Sequence, residues 1–346
     1  MKNFLPLLAV SAFLVCSCNS NKSKPDISGI EVKLQVERFD QDFFAIDTTN
    51  TVQSVDEVAK KHPAFFPVFM QQIAGLSEPA AVNAFYRFYK PVFDSAQDIY
   101  KNIEPLRKEI ETAFRYVKYY FPEYQLPSKL VTIVGPMDSP NDMARMQNGD
   151  YTPNFIGPDL LGVSLQYYLG KDFSWYRDAE FVNNIVPRFR SRRFSKEYII
   201  SDVMRLIADD VHPDNSGSLP LAERMIGKGK YWWLIDKFLP GHPDSVKTGY
   251  TAAQLQWCRE NEGFMWSYIV KNENLFTIDP RAIQTYIGEG PFTNVFPQEY
   301  SPGNIGPWIG WQIIKKFEEK HPELSPADIM KVPPKQILDE AKYKPK

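Results

Sequence analysis

Three cysteines, at positions 16, 18 and 258, set the terms on which this chain can fold. Cys16 and Cys18 close the amino-terminal stretch MKNFLPLLAVSAFLVCSC, in which Lys2 precedes an apolar run from Phe4 to Val15. The run is too short to span hydrocarbon, which takes about 20 apolar residues, and reads as a secretory signal. A lipoprotein processing site takes an aliphatic residue three positions before its cysteine and a small one directly before it. Cys18 has Val15 and Ser17 there, whereas Cys16 has Phe13 and the bulkier Val15. Residues 1–17 are therefore expected to be a signal peptide, with Cys18 the lipid-modified first residue of the mature chain. The alternative is ordinary secretory cleavage nearby. Once Cys16 is removed and Cys18 acylated, Cys258 has no disulfide partner, even in an oxidising compartment. The fold must rest on its core.

The lipid also fixes where the chain is expected to work. Each buried methylene contributes about 0.8 kcal/mol, so a multiply acylated cysteine is an effectively permanent membrane attachment. Residues 18–30 continue as NSNKSKPD and beyond, polar enough for a flexible tether. Residues 31–346 show no internal repeat, low-complexity tract or dividing linker, and read as one globular domain. A formal net charge of -2 gives no global attraction to nucleic acid, and no nucleic-acid partner is expected. Cys258, in LQWCRENEGFMW, sits among large apolar residues and reads as a buried, inert thiol.

Helical patterning dominates this body. Ser54 and Glu57 suggest a capping box for a helix toward Lys61, and Ser77 to about Tyr100 a second helix. Ile99, Ile103, Leu106, Ile110, Phe114 and Val117 recur at helical spacing for a third. Lys129 to Gly135 reads as a strand, Asn148-Gly149 as a hairpin turn, and Leu160 to Leu169 as a second strand. Helices are expected again over Ser195–Asp210, Ser218–Phe238 and, from a Thr251–Gln254 capping box, Thr251 to about Lys271. Shorter ones should follow from Asp279-Pro280, Pro307 and Ser325-Pro326. The expected fold is mainly α with a small antiparallel β-sheet.

The histidines narrow the chemistry. His62, His212, His242 and His321 are each followed by proline, which drives a residue away from helical backbone angles. A helical HExxH zinc pair is thus excluded, and His-Pro marks helix ends and turns instead. No GxSxG elbow, Walker loop or dinucleotide glycine pattern occurs. Neither metal nor cofactor is expected, and the chain reads as a non-enzyme.

Three groups remain as candidate sites. Asp209-Asp210, Glu260, Glu262 and Glu289 supply carboxylates for acid–base work, or simply surface charge. Arg188, Arg190, Arg192, Arg193 and Lys196, in PRFRSRRFSK, form the sharpest basic cluster. It can grip phosphate or an acidic partner, or be held in salt bridges by a loop pinned through Phe189 and Phe194. Tryptophans at 232, 233, 257, 266, 308 and 311 offer a glycan platform or core packing; Trp308 and Trp311 fall at helical spacing. Arg188, Arg190, Arg192, Arg193, Trp308 and Trp311 are the candidate interaction surface. A glycan-binding protein or glycosidase is the alternative function these groups allow.

Several long stretches resemble one family. PGHPDSVKTGYTAAQLQWCRENE, GEGPFTNVFPQEYSPGNIGPWIGWQIIKKF and ILDEAKYKPK, with Arg38-Phe39-Asp40 and Phe43-Phe44, are similar to the gliding-motility lipoprotein family GldB of Bacteroidetes. The resemblance implies a membrane-anchored envelope lipoprotein with partners in the gliding and type IX secretion machinery, in a family that also occurs in non-gliding bacteria. Surface-exported lipoproteins of that phylum often carry acidic residues just after the cysteine. Here none precedes Asp26, which implies a periplasm-facing position. A fainter likeness, to zincin-type metallopeptidases, implies a degenerate zincin-like shell. Val203–Asp210 would be its histidine-free first helix, and Lys228 would stand where a ligand glutamate belongs.

Overall fold

The computed structural model describes residues 24–138 and 153–346; Cys16, Cys18, the signal segment and Asn148-Gly149 lie outside them. A short strand β1 (Gln35–Glu37) leads into α1 (Phe39–Phe43), α2 (Thr51–Lys61), the long α3 (Pro79–Tyr100) and α4 (Glu104–Tyr120). Strands β2 (Lys129–Ile133), β3 (Phe155–Gly157) and β4 (Leu160–Ser164) follow. Then come α5 (Ile199–Val211), α6 (Leu221–Phe238), α7 (Ala252–Glu260) and α8 (Glu262–Asn272). The chain finishes through α9 (Pro280–Ile287), α10 (Ile305–Lys320), α11 (Pro326–Lys331) and α12 (Pro334–Ala341). The fold is mainly α with one small sheet.

The sheet is mixed rather than wholly antiparallel. Its order is β1-β2-β4-β3, with β1–β2 and β2–β4 parallel and only β3–β4 antiparallel. Parallel neighbours need long crossovers, and α1 to α4 supply the one between β1 and β2. The hairpin between β3 and β4 turns on Pro158-Asp159, with Asp159 at φ 58. Its carboxylate accepts from Ser128 N at 3.0 Å and from Ser128 Oγ at 2.7 Å, which pins the hairpin to the start of β2.

Arg38-Phe39-Asp40 has a structural role at the other edge. Arg38 forks onto the buried Asp40 (3.0 and 2.7 Å) and donates to Tyr100 O at 2.8 Å. Asp40 also accepts from Thr132 Oγ1 at 2.6 Å and Gln97 Nε2 at 2.9 Å, so one carboxylate ties α1 to β2 and α3. Several predicted boundaries shift. Ser54 lies inside α2 rather than capping it, and its hydroxyl accepts from Asp47 N. Ile99 ends up on α3 at 38% exposure, because Pro105 restarts the helix as α4. The expected helix from Thr251 keeps its capping box but breaks at Asn261 into α7 and α8. His62, His212 and His321 each follow the last residue of a helix, and His242 lies in a turn.

Helix α6 is buried on nearly every face, including Met225, Ile226, Trp232, Trp233, Leu234 and Phe238, as befits a helix with neighbours all round. Among them are α4, α5, α9, α10 and α12. Lys230 on this helix is only 5% exposed and donates to Met330 O (2.8 Å) and Val332 O (2.7 Å), which fastens α11 to α6. Desolvation pushes its ammonium down to about 8, against about 10.4 in an unfolded chain. The unfolded state therefore binds more protons between these values, and stability is expected to rise with pH from about 8 toward 10. Lys230→Met should flatten that slope in urea unfolding at pH 7.5 to 9.5; an unchanged slope would contradict the assignment.

Candidate functional site

The basic stretch folds as a helical turn, Arg188–Ser191, pinned by buried Ser191 and Phe194. Phe194 meets the rings of Tyr167 and Tyr176 edge-on at 5.2 and 5.1 Å. This anchorage aims the arginines differently. Arg188 is exposed. Arg190 Nε donates to Glu289 Oε2 at 2.5 Å, and Arg193 Nη2 lies 3.7 Å from Glu289 Oε1. Arg192 Nη2 donates to two neutral oxygens, Gly249 O at 2.9 Å and Gln254 Oε1 at 3.3 Å.

Three turns complete a cavity of about 30 Å³ around Arg192 and Arg193: Thr248–Tyr250, Glu289-Gly290 and Pro302–Asn304. Gly249 needs to be glycine twice over. Its φ is +74°, and a Cβ there would sit 2.7 Å from Arg193 Cδ. The Tyr250 hydroxyl lies 3.0 Å from Gly303 O and 3.1 Å from Asn304 O, donating its one proton between them. Asn304, at φ 44, opens α10. The sequence showed these stretches only as separate motifs; the fold brings PRFRSRRF, KTGY, GEG and SPGN to one place.

Behind the cavity, α5 contributes Asp202 and Arg205. Tyr168 OH donates to Asp202 Oδ2 at 3.0 Å, and Asn154 Nδ2 donates to that hydroxyl at 2.8 Å. Arg205 Nη2 donates to Lys247 O at 2.8 Å, while its buried Nε finds no acceptor. Sequence reading missed this pair, since both lie in the middle of a periodic helix with no motif around them.

The charges pull in opposite directions. Burial alone would raise the Glu289 carboxyl, but Arg193, Arg190 and Arg205 hold it below the usual range. Asp202 goes the other way, because desolvation outweighs attraction from Arg205 and Arg193. Arg192 is pushed down by desolvation and by the like charge of Arg193.

The other candidates separate from this site. Trp308 and Trp311 were candidate surface residues; at 2% and 1% exposure they are core side chains of α10, facing the helices around it. Trp232 and Trp233 are buried likewise. Glu262 accepts from Tyr343 OH at 2.6 Å and Glu260 from Gln256 Nε2 at 2.8 Å, so neither shares partners with Glu289. Asp210 accepts from Tyr124 OH at 2.6 Å. Lys228 lies 3.0 Å from Asp214. Cys258 is buried, and burial pushes its thiol up. Among the described residues no helix is long and apolar enough to cross a membrane.

A family model described as Gliding motility protein GldB matches residues 20–345. No curated protein and no solved structure matches the chain, and the zincin-type likeness finds no support among these comparisons.

Proposed function

Because the chain belongs to the GldB gliding-motility family, we propose that it is a non-enzymatic envelope lipoprotein, held at a membrane through Cys18 and acting through protein contacts. The observation that carries this reading is the state of Glu289. Clasped by Arg190 and Arg193, Glu289 joins chain segments far apart in sequence, which suits a body that acts through contacts. The cavity beside it has room for about two water-sized groups, far below the several hundred Å³ of ordinary substrate pockets. The signal segment, the acylated cysteine and the polar tether supply the address, and the absence of acidic residues before Asp26 favours a periplasm-facing position. The expected partners are envelope proteins of the gliding and secretion machinery.

Cys18→Ala tests the anchor. The variant is expected to leave the membrane fraction after a high-salt wash, while the wild-type protein stays. Retention of the variant would overturn the lipid attachment. Crosslinking in the native envelope tests the scaffold role, with recovery of specific protein neighbours expected. A purified protein that bound stoichiometric zinc and cleaved peptides would overturn it.

A further inference from the structure

We propose that the cavity between Arg192, Arg193 and the turns at Gly249, Gly290 and Gly303-Asn304 is a binding site for a single carboxylate group. The first argument is charge. Glu289 also lines the cavity, but Arg190 and Arg193 share its charge, whereas Arg192 meets only the neutral oxygens of Gly249 and Gln254. A half-buried guanidinium without a matching anion is held at a cost, and an incoming anion relieves it. Arginine is also the side chain whose planar fork fits a carboxylate.

The second argument is the wall opposite the arginines. Helix α10 starts at Ile305, directly after the cavity-lining Asn304, whose side chain makes no capping hydrogen bond. The cavity thus lies against the residue that leads into a 16-residue helix, at the positive end of its dipole. Arginine charge and helix end reinforce each other. The walls are also set in advance: a Cβ on Gly303 would fall 2.0 Å from Gly290 O, so two of the turns are in backbone contact. Preorganised walls reduce the entropy lost on binding.

Size selects among anions. About 30 Å³ holds roughly two water-sized groups, which matches the two oxygens of a carboxylate. The ligand is thus a carboxylate carried on a narrow stem, for which acetate is the minimal probe.

The test is thermal unfolding of the full-length protein in detergent at pH 7, with acetate, phosphate or chloride at equal ionic strength. Saturating acetate is expected to raise Tm by about 2–3 °C over chloride, with phosphate matching chloride. Arg192→Gln should lose the acetate response while its ligand-free Tm stays level or rises, because a frustrated charge is gone. Arg188→Gln, on the exposed face, should respond as wild type does. No acetate response in wild type, an equal response to phosphate, or an undiminished response in Arg192→Gln would each overturn the site. An Arg188→Gln response as weak as that of Arg192→Gln would do so too. None of these results bears on Cys18, so failure here leaves the anchoring proposal standing.

Discussion

Gly310→Ala is expected to destabilise the protein by about 3 kcal/mol, near the upper end of what overpacking a core does. On an ordinary helix surface the same change stabilises by up to about 1 kcal/mol, because alanine is the better helix former. The sign therefore reports the packing. A Cβ on Gly310 would sit 1.8 Å from Met225 O and 2.5 Å from the Met225 carbonyl carbon. Both are backbone atoms of α6, so no change of rotamer can make room. The crossing is tight from the other side too: a Cβ on Gly229 would fall 2.4 Å from Gly310 C and Trp311 N. Gly229→Ala should thus behave alike, whereas Gly217→Ala, where a Cβ meets nothing within 4 Å, should be nearly silent. Urea unfolding of the three variants decides the matter. Wild-type stability in Gly310→Ala would mean that α6 and α10 do not cross at backbone contact. The crossing matters for the site because the cavity-lining Asn304 leads directly into α10; prying that helix from α6 moves one wall of the cavity.

How far the sequence disclosed all this depends on the range of the physics involved. Helix starts set by local chemistry were legible: the Thr251–Gln254 capping box, the Asp279 cap before Pro280 and the Ser325 cap before Pro326 all form. Three of the four His-Pro pairs likewise end helices, because the proline constraint acts on the adjacent residue. Strand pairing was not legible. Parallel registry between Gln35 and Lys129 depends on a crossover of four helices, and no local signal announces it. Pro158-Asp159, not Asn148-Gly149, makes the observed β3–β4 turn, and Gly157-Pro158-Asp159 was a readable turn signal passed over. Glycines at 306 and 310, four apart on α10, were also a readable sign of close helix packing. At the site, the arginine cluster stood out as composition, and its anchorage through Phe194 followed from the interleaved aromatics. Its partner Glu289 lies 99 residues from Arg190, and only the fold could choose it over Glu260 or Glu262.

Glu289→Gln is the second change expected to have a large effect, a loss of about 3 kcal/mol at pH 7, typical of removing one partner from a largely buried ion pair. Glutamine keeps the shape and one carbonyl acceptor, so the loss isolates charge. Arg190 and Arg193, at 12% and 24% side-chain exposure, would be left facing each other, with Arg205 behind them. The pH dependence follows from the sign of the shift. Because the folded Glu289 carboxyl is depressed, its contribution is complete above the unfolded value of about 4.3 and is lost as pH falls through the folded value. The gap between wild type and variant should thus be constant from pH 6 to 8 and shrink in acid. Asp202 cannot mimic this behaviour. Its raised carboxyl contributes most below about 3.9 and loses that contribution as pH climbs through the folded value, so Asp202→Asn should gain on wild type as pH rises. Denaturant unfolding of both variants between pH 3.5 and 8 separates the two carboxylates. Adding Arg190→Met to Glu289→Gln should recover part of the loss, since both members of the pair are then removed together. If the double variant is as unstable as the two single losses added, Arg190 and Glu289 are not energetically coupled. The cluster would then be a set of independent surface charges rather than the clasp that joins the basic turn to the carboxy-terminal helices.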